Sequence, residues 1–206
     1  MTFTATVHSG DLPDDLDLGP VVAVDTETMG LNPTRDRLCV VQLSAGDGTA
    51  HLVQLPMGQY AAPNLKRLCA DPGTLKLFHF ARFDVAVLKA YLSIDTAPIY
   101  CTKIASKLVR TYTDRHGLKD LTRELLGIEL SKQQQSSDWG ADTLSHEQTN
   151  YAASDVLYLH QIKDKLDHML AREGRAELAA KCFEFLPIRA SLDLGGWEAV
   201  DIFAHS

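Results

Sequence analysis

The chain has 206 residues, 45% hydrophobic and 23% charged, with a formal net charge of −7 at pH 7. That composition suits one globular domain; it excludes a broad basic surface for wrapping long nucleic acid, but not a short one held in a local pocket. No apolar run approaches the ~18–20 residues that span a bilayer, and the opening MTFTATVHSGDLPDDLDLG lacks the basic-then-apolar order of a signal peptide.

In chain order, residues 1–20 read as an N-terminal extension, 21–187 as the main domain and 188–206 as a tail that could pack between subunits. Val21–Val24 opens a buried strand running into VDTET. LNPTRDR is turn-rich. LCVVQLS (Leu38–Ser44) and TAHLVQL, joined by GDG, complete a three-stranded antiparallel meander. APNLKRLCA is a short helix with Pro63 near its start. Thr74–Phe80 is a fourth strand, ARFDVAVLKAYL a helix and APIYC a fifth strand. Leu108–Leu126 holds two helical pieces broken near Asp114–Gly117, and LGIELSKQQQSSDWG is a long polar loop. From Ser145, with Gln148 at the capping-box spacing, one long helix is predicted, followed by AELAAKCFEFLP, which Pro187 ends. The expected class is α/β: a mixed five-stranded sheet flanked by helices, with a helical C-terminal half. Cys39, Cys69, Cys101 and Cys182 are scattered without a Cys-x-x-Cys pair, and read as reduced core residues of a cytoplasmic protein.

The carboxylates carry the chemical signal. Asp25 and Glu27, two apart on a strand, point to one face. At ~5 Å, two such anions repel by roughly 3 kcal/mol at an effective dielectric near 20. Asp84 falls on the apolar stripe of Phe80, Val87, Leu88 and Tyr91, and Asp155 falls among Tyr151, Leu159, Ile162 and Leu166. Singly, each has a plain structural explanation: Asp84 pairs with Arg82 or caps a helix, and Asp155 binds a backbone amide. Together they fit a site for hard divalent cations, which take carboxylate oxygens. Lys103, Lys107 and Arg110 share one helical face, either as solvated surface or as a phosphate-guiding patch.

VDTET, HFARFD and YAASD, in that order, resemble the DEDDy branch of 3′-5′ exonucleases, and SKQQQSSDW before YAASDVLYL resembles its ribonuclease D group. The short length, CTKIASKLVRTYTDRHGLKDL and the ending DLGGWEAVDIFAHS resemble the nanoRNase C branch of that group. The resemblance implies a ribonuclease H-like fold, cleavage of diribonucleotides to mononucleotides and a homo-octameric ring. It also implies two-metal catalysis with Mg2+ or Mn2+. In that scheme Asp25 bridges both ions, Glu27 and Asp155 hold the ion of the attacking water, and Asp84 places the second through water. Tyr151 hydrogen-bonds the nucleophile. Candidate substrate contacts are Thr28, Leu31, His79, Arg110, Gln135, Ser137 and Trp139. Leu31 is a wedge against the bases or a loop residue covering the core. His79 and Trp139 are substrate contacts or core residues. Rival readings are a general ribonuclease D-like exonuclease acting on longer RNA or DNA, and a catalytically silent nucleic-acid-binding module.

Overall fold

A computed structural model describes residues 3–131, 134 and 136–205. Its centre is a six-stranded mixed sheet in the order β1-β4-β3-β2-β5-β6. The strands are β1 (Thr4–Ser9), β2 (Val21–Thr28), β3 (Leu38–Ser44), β4 (Thr49–Gln54), β5 (Leu75–Phe78) and β6 (Ile99–Cys101). The meander of β2, β3 and β4 is antiparallel as expected, and β5 and β6 add parallel strands on the far side of β2. All seven residues of β3 are buried, which is the mark of a central strand covered on both faces.

The sheet has one strand more than the sequence predicts. Residues within the expected N-terminal extension form β1, which pairs in parallel with β4 at the sheet edge. Four of its six residues are exposed, so no buried alternation announces it. The segment after β1 then reaches helix α1 (Pro63–Ala70), where the Asp11 carboxylate accepts from the Asn64 and Leu65 amides at 2.8 and 2.9 Å. That side chain satisfies two of the free N–H groups of the helix start, which has no cap of its own.

The helices, among them the short α4 (Leu118–Leu121), differ from expectation in two places. The single long helix after Ser145 is two: α5 (His146–Val156) and α6 (Leu159–Arg172). The capping box of Ser145 and Gln148 starts α5 as predicted. Leu157 and Tyr158 keep near-helical angles, so the apolar period runs through the break unmarked. The break lets α5 lie on strands β1 to β4 and α6 turn onto helix α3 (Thr102–Val109). His160, at the start of α6, donates from Nε2 to the Val21 carbonyl at 3.0 Å and ties this corner to β2.

Pro187 does not end its helix. Helix α7 spans Ala176–Leu192 with Pro187 inside it. An interior proline costs about 3 kcal/mol, and burying a large apolar side chain returns about 1.5–3 kcal/mol. Phe183 and Leu186 before the proline and Ala190 after it are all buried, so packing against helix α2 (Ala81–Leu92) outweighs the lost bond. Beyond α7, Asp193 accepts from Arg82 at 2.6 and 2.8 Å and from Arg189 at 2.5 and 2.9 Å, which fixes the start of the tail to α2. Arg82 is therefore engaged with Asp193, leaving Asp84 to other partners. All four cysteines are free, three of them buried. Among the described residues no helix is long and apolar enough to cross a membrane.

Candidate active site

Three elements converge at the C-terminal end of β2. Asp25 and Glu27 come from β2 itself, Asp84 from the first turn of α2, and Asp155 from the last turn of α5. Asp25, Glu27 and Asp155 each place a carboxylate oxygen within 4.8 Å of the others. Asp84 is buried, and its Oδ1 accepts from Thr26 Oγ1 at 2.7 Å. Thr26 thus sits between the two strand acids in sequence and serves the helix acid in space.

The electrostatics are those of crowded anions. Burial, then the charges of Asp84, Asp155 and Glu27, raises the Asp25 carboxyl well above the ordinary range. Burial foremost, then Asp155 and Asp84, raises Glu27 to about 9. Burial also raises Asp84 and Asp155 to about 7 each. None of the four enters a salt bridge among the described residues. Oxygen donors with compensating charge missing fit a hard divalent cation; a zinc site would draw on His or Cys.

Folded-state pKa values raised to about 7 and about 9 mean that the metal-free protein binds more protons folded than unfolded. Its stability is therefore fullest below the ordinary carboxylate range near 4 and is lost as pH rises through about 7 to 9. A cation needs the deprotonated set, so the gain in melting temperature on adding Mg2+ grows across the same window. Thermal unfolding at about pH 6 and about pH 8.5, with chelator or Mg2+, measures both trends, and a pH-independent metal-free melting temperature contradicts them.

The acids line a cleft of about 670 Å³. Of the other candidates named from the sequence, Thr28, Leu31, His79, Ser137, Trp139 and Tyr151 line it too. Leu31 is 87% exposed at the cleft, so it does not cover the core. His79 Nδ1 lies 2.9 Å from Thr102 Oγ1, and burial lowers its pKa to about 3, so the ring is neutral. Tyr151 faces the acids: burial, then Asp155, Glu27 and Asp25, raise its pKa, and the hydroxyl keeps its proton.

One substrate candidate is placed otherwise. Arg110 is fully buried and does not line the cleft. It pairs with Glu124 and donates to Ser106 Oγ at 3.0 Å and the Arg115 carbonyl at 2.7 Å. The row of Lys103, Lys107 and Arg110 is thus not one surface patch: Lys103 alone of the three reaches the cleft, its Nζ 4.3 Å from the Phe80 ring centre. Trp139 lines the cleft but is only 2% exposed, and its ring packs 6.0 Å from that of Tyr151, so it holds the tyrosine more than it offers a face for stacking. Gln135 lies outside the described residues. The sequence reading missed Phe80 and Phe83 as cleft residues. Phe80 belongs to an apolar stripe by spacing, but it caps α2 at φ 76°, a left-handed backbone unusual for an aromatic residue, and stands half exposed.

The chain is 35% identical over 170 residues to ribonuclease D of Acidiphilium cryptum, covering 82% of this chain and 43% of that protein. It is also 35% identical over 155 residues to DNA polymerase I of Aquifex aeolicus, covering 75% of this chain and 25% of that one. The chain thus spans less than half the length of these relatives. Among solved structures it resembles Brucella melitensis NrnC bound to pGG, with 56% identity, TM-score 0.96 and coverage of 99% and 100% of the two chains. NrnC with bound Mg2+ matches at 55% identity and TM-score 0.95, over the same shares. Escherichia coli RNase D matches at 27% identity and TM-score 0.74, over 83% of this chain and 45% of that one. A model of the 3′-5′ exonuclease family matches residues 4–171, from the edge strand β1 almost to the end of α6, and the chain belongs to that family.

Proposed function

We propose that the chain removes nucleotides from the 3′ end of diribonucleotides and very short RNA, releasing nucleoside 5′-monophosphates with the help of two divalent cations, Mg2+ or Mn2+. The observation that carries this reading is the convergence of Asp25, Glu27 and Asp155 on one point of the cleft, beside a buried Asp84. The likeness to NrnC bound to pGG and to NrnC with bound Mg2+ supports the short substrate and the cation.

Asp25, Glu27 and Asp155 hold the cations, and Asp84, steadied by Thr26, contributes from α2. When bound there, such ions supply neutralisation of the phosphodiester and acidification of a water. Tyr151, protonated at its Oη, orients the attacking water through a hydrogen bond. Leu31 meets the bases at the cleft mouth, and Lys103 offers a cation to phosphate. The cleft volume of about 670 Å³ falls in the ordinary range of small-ligand pockets. The octameric ring belongs to the same reading. Leu178, Ile188, Trp197 and Phe203 are exposed on α7 and the tail and supply apolar surface for contact between copies. Light scattering measures the assembly.

The general ribonuclease D-like reading draws on the identity to ribonuclease D. Labelled RNA of two to about seven nucleotides, with and without Mg2+, separates the two. Dinucleotides are expected to react at least tenfold faster than the longest RNA, a difference of about 1.4 kcal/mol. Equal rates favour the general enzyme, and a matched DNA series tests the sugar.

A further inference from the structure

Gln42 lies mid-strand in β3, fully buried, and neither polar atom of its amide has a hydrogen-bond partner among the described residues. Buried amides are almost always paired, by protein or by an enclosed water, so this one calls for an account. The register puts Gln42 directly opposite Asp25 on β2 and opposite Leu52 on β4. Opposed residues of antiparallel strands share a face, with Cβ atoms about 4.5–5.5 Å apart. Leu52 offers no polar atom. On the same face of β3, Val40 is apolar and Ser44 already donates to the Thr49 carbonyl at 2.6 Å. Asp25 remains as the polar neighbour across the strand pair. Gln42 is not among the residues lining the cleft, so it stands behind Asp25, out of reach of a substrate.

We infer that Gln42 is a positioning residue: its amide, through one enclosed water, fixes the Asp25 carboxylate from the side turned away from the cleft. The bond holds one oxygen of Asp25 and leaves the other aimed at Glu27 and Asp155. The inference rests on the reading of Asp25 as a cation ligand. Partners that orient metal ligands in this way are typically worth about 10–100-fold in metal affinity.

The test is Mn2+ binding without substrate, read from the paramagnetic resonance of the free ion, together with the melting temperature of the metal-free protein. Wild type, Gln42→Leu, Gln42→Met and Asp25→Ala are compared. The Leu and Met variants are expected to bind Mn2+ at least about tenfold more weakly. Their metal-free melting temperature should be unchanged or higher, because an apolar group of similar shape removes the need for a partner. Wild-type affinity in both variants overturns the inference, and so does a loss of affinity matched by a collapse in melting temperature in both. Full Mn2+ affinity in Asp25→Ala, by contrast, overturns the underlying reading of the site.

Discussion

Asp25→Ala is expected to reduce RNA hydrolysis by at least about 10³-fold, close to 4 kcal/mol of transition-state stabilisation, while the protein stays folded. Asp25 lies between the other acids: its carboxyl feels Asp84, Asp155 and Glu27 at once, and burial adds to their effect. Under the proposed function, removing it takes away one of the three acids that would hold the cations. The same crowding predicts the opposite sign for stability. Without metal, the alanine variant loses one repelling, desolvated anion and should melt at or above the wild-type temperature. With Mg2+ the order should reverse, because only the wild type gains the full binding energy. Initial rates on a labelled diribonucleotide and paired melting curves measure both. Wild-type turnover in the variant contradicts the assignment.

Tyr151→Phe is expected to lower kcat by about 10²-fold, the modest end of what proton-handling groups contribute. The tyrosine's raised pKa, due first to burial and then to the three facing acids, keeps it protonated and suits it to orienting a water more than to acting as a base. Trp139 packs against the ring, so phenylalanine should occupy the same place and lose the hydroxyl alone. Cation affinity should stay at the wild-type value, since no cation ligand is removed. A drop in kcat matched by a drop in Mn2+ affinity contradicts the role given to the hydroxyl.

The carboxylates were legible in the sequence because their positions are set by local geometry. Two residues apart on a strand means one face, and an acid on an apolar helix stripe means an inward carboxylate, whatever the rest of the chain does. That the four acids share one site is suggested by their being misplaced together and strengthened by the resemblance of VDTET, HFARFD and YAASD to the family; spacing alone does not bring them together, because β2, α2 and α5 meet through long-range packing. Arg110 shows the limit of helical spacing. Helix α3 ends at Val109, so Arg110 sits at its C-cap with non-helical angles (φ −103°, ψ 56°), and Glu124, Ser106 and the Arg115 carbonyl draw it inward. Edge strand β1 was hidden because exposure on both faces leaves no alternation to read. The break between α5 and α6 was hidden because near-helical angles at Leu157 and Tyr158 keep the period intact. The run of α7 through Pro187 depends on burial at Phe183, Leu186 and Ala190, where packing overrides a local signal. Nothing in LCVVQLS sets Gln42 apart; only the register beside Asp25 gives its amide a meaning.

The most direct test of the central claim is a crystal of the protein soaked in Mn2+ and measured for anomalous scattering. The account predicts peaks among Asp25, Glu27 and Asp155, at about 2.0–2.2 Å from their oxygens, with Asp84 facing them. Carboxylates turned apart, or no anomalous density among them, would contradict it.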